Sequence, residues 1–114
     1  MNRNFRIHIN PQVYVDIQNQ VDYYRKVTKS HKLGKRFAKT VGQEINRLKE
    51  VALHYEIKYD DIRCLPIPKF PHRAHFRLDE IENTVWVEAI IGTSENPDEF
   101  SLRTIREDPT AKKI

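Results

Sequence analysis

The sequence predicts an α+β domain in which a helical hairpin packs on one face of a four-stranded antiparallel sheet, in the order β-α-α-β-β-β. Three observations carry this. Two consecutive stretches, 11–27 and 33–52, repeat apolar residues at helical spacing across a very short linker. The run IRCLPIPKFPHRAHFRLDEIENTVWVEAII, residues 62–91, alternates apolar and polar side chains as strands do. The N-terminal FRIHIN alternates likewise and stops at Asn-Pro.

A chain of 114 residues with 39% hydrophobic and 32% charged side chains is long enough for one modest core. The expected organisation is one domain over 1–100 and a polar C-terminal tail over 101–114. No apolar run reaches membrane-spanning length, and MNRNFRIHIN lacks the hydrophobic region of a signal peptide, which points to a cytoplasmic protein with no membrane partner. The single Cys64 excludes an internal disulfide and a cysteine-based zinc site. It reads as a small buried hydrophobe, with a nucleophile as the alternative.

Taken in order, residues 5–10 form the first strand. Asn10 is placed to cap a helix and Pro11 to occupy its first position, where no N–H is needed. Val13, Ile17, Val21 and Tyr24 then mark one apolar face to about Val27. Ser30 is the expected cap of the second helix, whose stripe is Leu33, Phe37, Val41, Ile45, Leu48 and Ala52. Gly34 and Gly42 weaken that helix by on the order of 1 kcal/mol each relative to alanine. Residues 54–61 read as a polar connector. Pro66 and Pro68, two apart, deny a full hydrogen-bond ladder on one side of the following strand, so an edge or interrupted pairing is expected there.

The hairpin closed by Glu80–Asn83 sets the register. Asp79 opposite Thr84 brings Leu78 to Val85, Phe76 to Val87 and Ala74 to Ala89, all on one face. A slip of one residue would scatter these pairs. The same register puts Arg77 beside Trp86, His75 beside Glu88 and Arg73 beside Ile90, a cationic strip on the opposite face. Charge is uneven along the chain as well. Residues 1–54 hold eleven Lys/Arg and four acids, +7, whereas residues 55–114 hold nine and twelve, −3. Lys32, Lys35, Arg36 and Lys39 lie opposite the apolar stripe of the second helix. They make either a solvated surface or a receiver for an acidic or polyanionic partner.

These residues carry a family resemblance. The Tyr23-Tyr24 helix, the Leu33-Gly34 turn, the Phe70-Pro71 turn and the Asp79-Glu80/Asn83 hairpin, over roughly residues 5–100, resemble the RelE/ParE toxins of type II toxin–antitoxin (plasmid stabilisation) systems. The resemblance implies a toxin that arrests growth and forms a hetero-oligomer with a cognate antitoxin. Its target is either DNA gyrase, as for ParE-like members, or mRNA on the ribosome, as for RelE-like members. It implies no cofactor and no metal. In the nuclease reading Arg73 matches an arginine set against the scissile phosphate, with His75 and Arg77 as further catalytic candidates. Arg63, Lys69 and Trp86, with the basic surface of the second helix, are candidates for binding target or antitoxin. Two nuclease positions depart from that pattern: Thr93-Ser94-Glu95 stands where arginine is usual, and Phe100 where tyrosine or histidine is usual. The resemblance therefore favours gyrase inhibition slightly over mRNA cleavage.

RNA cleavage without a metal requires a base for the 2′-OH, charge to offset the phosphate and a proton for the leaving oxygen. His75 is the titratable side chain on the basic face suited to the proton steps, and Glu88 opposite would fix its tautomer. The competing structural reading makes His75–Glu88 a cross-strand polar pair and lays Arg77 over Trp86. A non-toxic basic module binding nucleic acid or protein through Lys32–Lys39 is the alternative function.

Overall fold

Asn10 both ends the first strand and starts the first helix, its side chain accepting the Gln12 N–H at 2.9 Å. In the computed structural model, which describes residues 4–93, the elements are β1 (Arg6–Ile9), α1 (Pro11–Thr28), α2 (Lys32–Val51), β2 (Ile57–Tyr59), β3 (Ile62–Pro66), β4 (His72–Asp79) and β5 (Thr84–Gly92). Both helices fall where their apolar stripes put them. Val13, Phe37, Val41, Leu48 and Ala52 are fully buried against the sheet. The cap expected at Ser30 falls one residue later, at His31, whose side chain makes no capping hydrogen bond, while Ser30 Oγ accepts the Lys32 N–H at 3.1 Å.

The two glycines of α2 differ. A Cβ on Gly34 would lie 3.0 Å from Val21 Cγ1 and 3.2 Å from the Val21 carbonyl oxygen, so glycine lets α1 approach α2 closely. Gly42 faces open space.

The helices cover one face of a sheet ordered β1-β5-β4-β3-β2. β2 to β5 form an antiparallel meander. Two features correct the expected four-stranded antiparallel sheet. β1 joins β5 in parallel, Arg6 to Ile9 lying opposite Thr84 to Val87. A fifth strand, β2, lies within the segment read as a connector. It is short, is turned back by Asp60 in a left-handed conformation (φ 49°), and shifts register between Ile57 and Tyr59. It ends before reaching Pro66, which is where the two prolines forbade a complete ladder.

The β4–β5 hairpin keeps the expected register from Asp79–Thr84 to Phe76–Val87 and then shifts by one residue. Past that bulge His75 opposes Ala89, Ala74 opposes Ile90 and Arg73 opposes Ile91. Ile90 therefore joins the main core, while Ala89 and Ile91 turn to the other face and pack with Ile62 and Cys64. The expected inward set Val85, Val87, Ala89 is thus corrected to Val85, Val87, Ile90. Phe76 and Val87, on the covered face, are fully buried, and Arg73, on the opposite face, is exposed. No helix among the described residues is long and apolar enough to cross a membrane. The tail assigned to 101–114 lies outside the described residues, as do Ser94, Glu95 and Phe100.

Candidate functional site

The sheet face opposite the helices gathers side chains from all five strands. Its first half lies around β1 and the turn-proximal part of β5. There His8 stacks on Trp86, ring centroids 4.4 Å apart and planes 19° from parallel. Arg77 directs Nε and Nη2 at Glu88 Oε2, at 2.8 and 2.7 Å. Glu88 is 4% exposed, and Asn10 Nδ2 approaches its other oxygen at 3.4 Å. A carboxylate buried so deeply is tolerable only when paired and hydrogen-bonded, and Arg77 with Asn10 provides both.

The second half lies past the bulge. His75, 6% exposed, meets the Tyr59 hydroxyl at Nδ1, 2.8 Å away. Its ring nitrogens are 3.6 and 3.9 Å from Cys64 Sγ. Burial pushes the Cys64 thiol up from its ordinary value, opposed by the nearby charges of Arg73 and Lys58. Cys64 is buried, in line with its reading as a small hydrophobe, and its thiol is held in the protonated, weakly nucleophilic form.

The residues singled out from sequence are therefore dispersed. Arg73, Arg77 and Trp86 share the outer face, with Arg73 exposed. His75 is on that face but is paired with Tyr59 rather than with Glu88, because the bulge hands Glu88 to Arg77. Trp86 is the stacking partner of His8. Arg63 stands opposite Phe76, on the helix side of the sheet. It donates to the Tyr55 carbonyl at 2.6 Å, tying β3 to the chain leaving α2. Lys69 sits in the β3–β4 turn with φ 68°, following Pro68, and the Phe70 N–H donates to the Ile67 carbonyl at 3.2 Å. That combination is a type II turn lacking its usual glycine. Lys32, Lys35, Arg36 and Lys39 lie exposed on α2, on the far side of the molecule from the outer sheet face. His72 is in β4, buried, with its ring 5.0 Å from Phe37.

Tyr59 is the site residue the sequence did not disclose. The signal for it is Ile57-Lys58-Tyr59 before Asp60-Asp61, three alternating residues and a two-residue turn. Chemically, the outer face offers two exposed cations (Arg73 and, at the far end, Arg6), a hydroxyl–imidazole pair (Tyr59–His75) and a neutralised Arg77–Glu88 pair.

A scan against protein-family models and a search of curated proteins both find no match. Among solved structures, the chain is similar to one from the chromosomal ParDE TA system of P. aeruginosa, with a TM-score of 0.68 at 15% identity. The similarity covers 77% of this chain and 95% of the other. The two chains share a fold: a helical hairpin on one face of a mixed, mostly antiparallel sheet.

Proposed function

We propose that the chain is a RelE/ParE-family toxin of a type II toxin–antitoxin pair, silenced by a cognate antitoxin, and that it arrests growth by inhibiting DNA gyrase rather than by cutting mRNA. One observation carries the toxin reading: the fold shared over nearly the whole length of a chain from a ParDE system. The preference for gyrase rests on the outer face. An endonuclease of this kind needs free cations and a proton-transfer group presented to RNA. Here Arg77 is spent on Glu88, and His75 is buried against Tyr59 and Cys64. The cations left exposed on that face, Arg73 opposite Ile91 and Arg6 opposite Thr84, stand at the two ends of β5 rather than together, where charge offset calls for several at one phosphate.

We place the antitoxin on the sheet edge at β2, where Ile57 is 53% exposed, with Leu53, in the turn after α2, 41% exposed.

Controlled expression tests the reading. Growth should arrest and resume when the adjacent small gene is co-expressed, and gyrase–DNA complexes should accumulate in arrested cells. Continued growth under strong induction would refute the toxin reading. Cleaved mRNA on translating ribosomes, abolished by Arg73→Ala, would move the mechanism to the nuclease.

A further inference from the structure

We infer that the tip of the helical hairpin is a nucleic-acid-binding surface that grips the phosphodiester backbone without reading sequence. From Tyr23 to Gln43 the chain holds seven Lys/Arg and no Asp/Glu. The fold condenses them at one end of the molecule. Arg25 and Lys26 occupy the last turn of α1, and Lys29 is its C-cap. Lys32, Lys35, Arg36 and Lys39 occupy the first two turns of α2. The buried positions of that helix are Gly34, Phe37, Val41, Ile45 and Leu48, so the four cations point directly away from the core.

All seven are exposed, and among the described residues none takes part in an ion pair. Elsewhere two exposed cations are paired, Arg47 with Glu44 at 2.9 Å and Lys58 with Glu56 at 3.0 Å, and the exposed Lys49, Lys69 and Arg73 are scattered rather than clustered. The placement on α2 also runs against local stability. Its first turn contains no acid, and cations crowd the end where the helix dipole is positive. A sequence chosen for folding alone would put acids there. Departures from local rules of this kind collect where a ligand is bound.

The chemistry fits phosphate. The side chains are long, flexible and spaced over roughly 10 Å of helix, the scale of a few nucleotides. Among the described residues α2 exposes no large apolar side chain beside its four cations, and the exposed apolar residues of the tip, Tyr23 and Val27, belong to α1. The surface is also remote from the outer sheet face, so it stands whether or not the chain is a toxin.

The test measures binding of the purified full chain to a mixed-sequence 30-base-pair DNA duplex and to a single-stranded RNA of about 30 nucleotides, by fluorescence anisotropy from 50 to 300 mM KCl. The chain is compared with two variants of equal net charge. One is Lys32→Glu/Lys35→Glu/Lys39→Glu; the other is Arg47→Glu/Lys49→Glu/Lys58→Glu. For the unaltered chain log affinity should fall against log salt with a slope of about −4 to −6 on duplex, the signature of five to seven phosphate contacts. The tip variant should lose at least about 30-fold at 50 mM salt and about three units of slope, and the control less than about threefold. The tighter of the two probes identifies the nucleic acid. The tip variant should melt at the same temperature or higher, since it relieves the dipole conflict, so lost binding will not reflect unfolding. Equal losses in both variants, affinity indifferent to salt, or tighter binding to polyglutamate than to either nucleic acid would overturn the proposal.

Discussion

The two halves of the β4–β5 hairpin obey different rules. Near the Glu80–Asn83 turn every pair from Asp79–Thr84 to Phe76–Val87 follows simple alternation, with apolar partners facing the helices. Beyond Phe76 one extra residue in β5 inverts the pattern, so that Ala89 and Ile91 leave the main core and Ile90 enters it. The near half is governed by the turn and by local pairing. The far half is governed by a distant element: β1 pairs with β5 only as far as Val87, and past its end the Ile90 N–H donates to Asp16 Oδ2 of α1 at 2.9 Å. A bulge held from another layer of the fold has no local signature. It also creates the Arg77–Glu88 and Tyr59–His75 pairs that define the outer face.

The largest break in this contrast should come at Phe76, the last in-register pair and fully buried. Phe76→Ala should cost about 3–5 kcal/mol in urea unfolding, enough to unfold both halves together. A loss below about 1 kcal/mol would mean that the near half is not the anchor. Glu88→Ala should cost about 2–3 kcal/mol, less than a fully buried ion pair because the Arg77 side chain is 35% exposed and can rehydrate. An unchanged urea midpoint would show that the pair is incidental to the bulge.

Asp16→Ala separates the halves most cleanly. It removes the acceptor for the Ile90 N–H and should cost about 1–2 kcal/mol. Amide exchange at Ile90 and Ile91 should accelerate while Val85 and Val87 stay protected. Uniform acceleration along β5 would argue that Asp16 supports the helix alone.

The smallest effect concerns Cys64. Its raised thiol pKa means that the folded state favours the protonated form. That stabilisation is complete below the ordinary thiol pKa and is lost as pH rises through the raised value. At pH 8.5 iodoacetamide should therefore modify the folded chain more slowly than the chain in urea. Arg73→Gln, which removes an opposing cation, should slow it about twofold more. Faster modification in that variant would reverse the assigned electrostatics.

Where a residue's environment is set by its neighbours in sequence, the sequence was informative. The stripes Val13–Tyr24 and Leu33–Ala52, the Asn10-Pro11 boundary and the near-half register needed nothing beyond periodicity and capping. Four features escaped it. The bulge fell in Glu88-Ala89-Ile90-Ile91, where the last three are apolar and either face accepts them. β2 was only three residues long and carried an exposed isoleucine. The β1–β5 pairing is parallel and spans most of the chain, so no turn announces it. Arg63, named only as a binding candidate, alternates with the buried Leu65 and so stands on the helix side, a face its charge does not announce.

The parallel seat of β1 also bears on synthesis. Arg6–Ile9, synthesised before both helices, acquire their strand partner only when Thr84–Val87 emerge. Until then both helices display greasy stripes with no sheet to cover them, a nascent state of high contact order that invites either a chaperone or premature association. The fold therefore closes only once β5 has been made, and β1, the first of the described strands, is among the last pieces to dock.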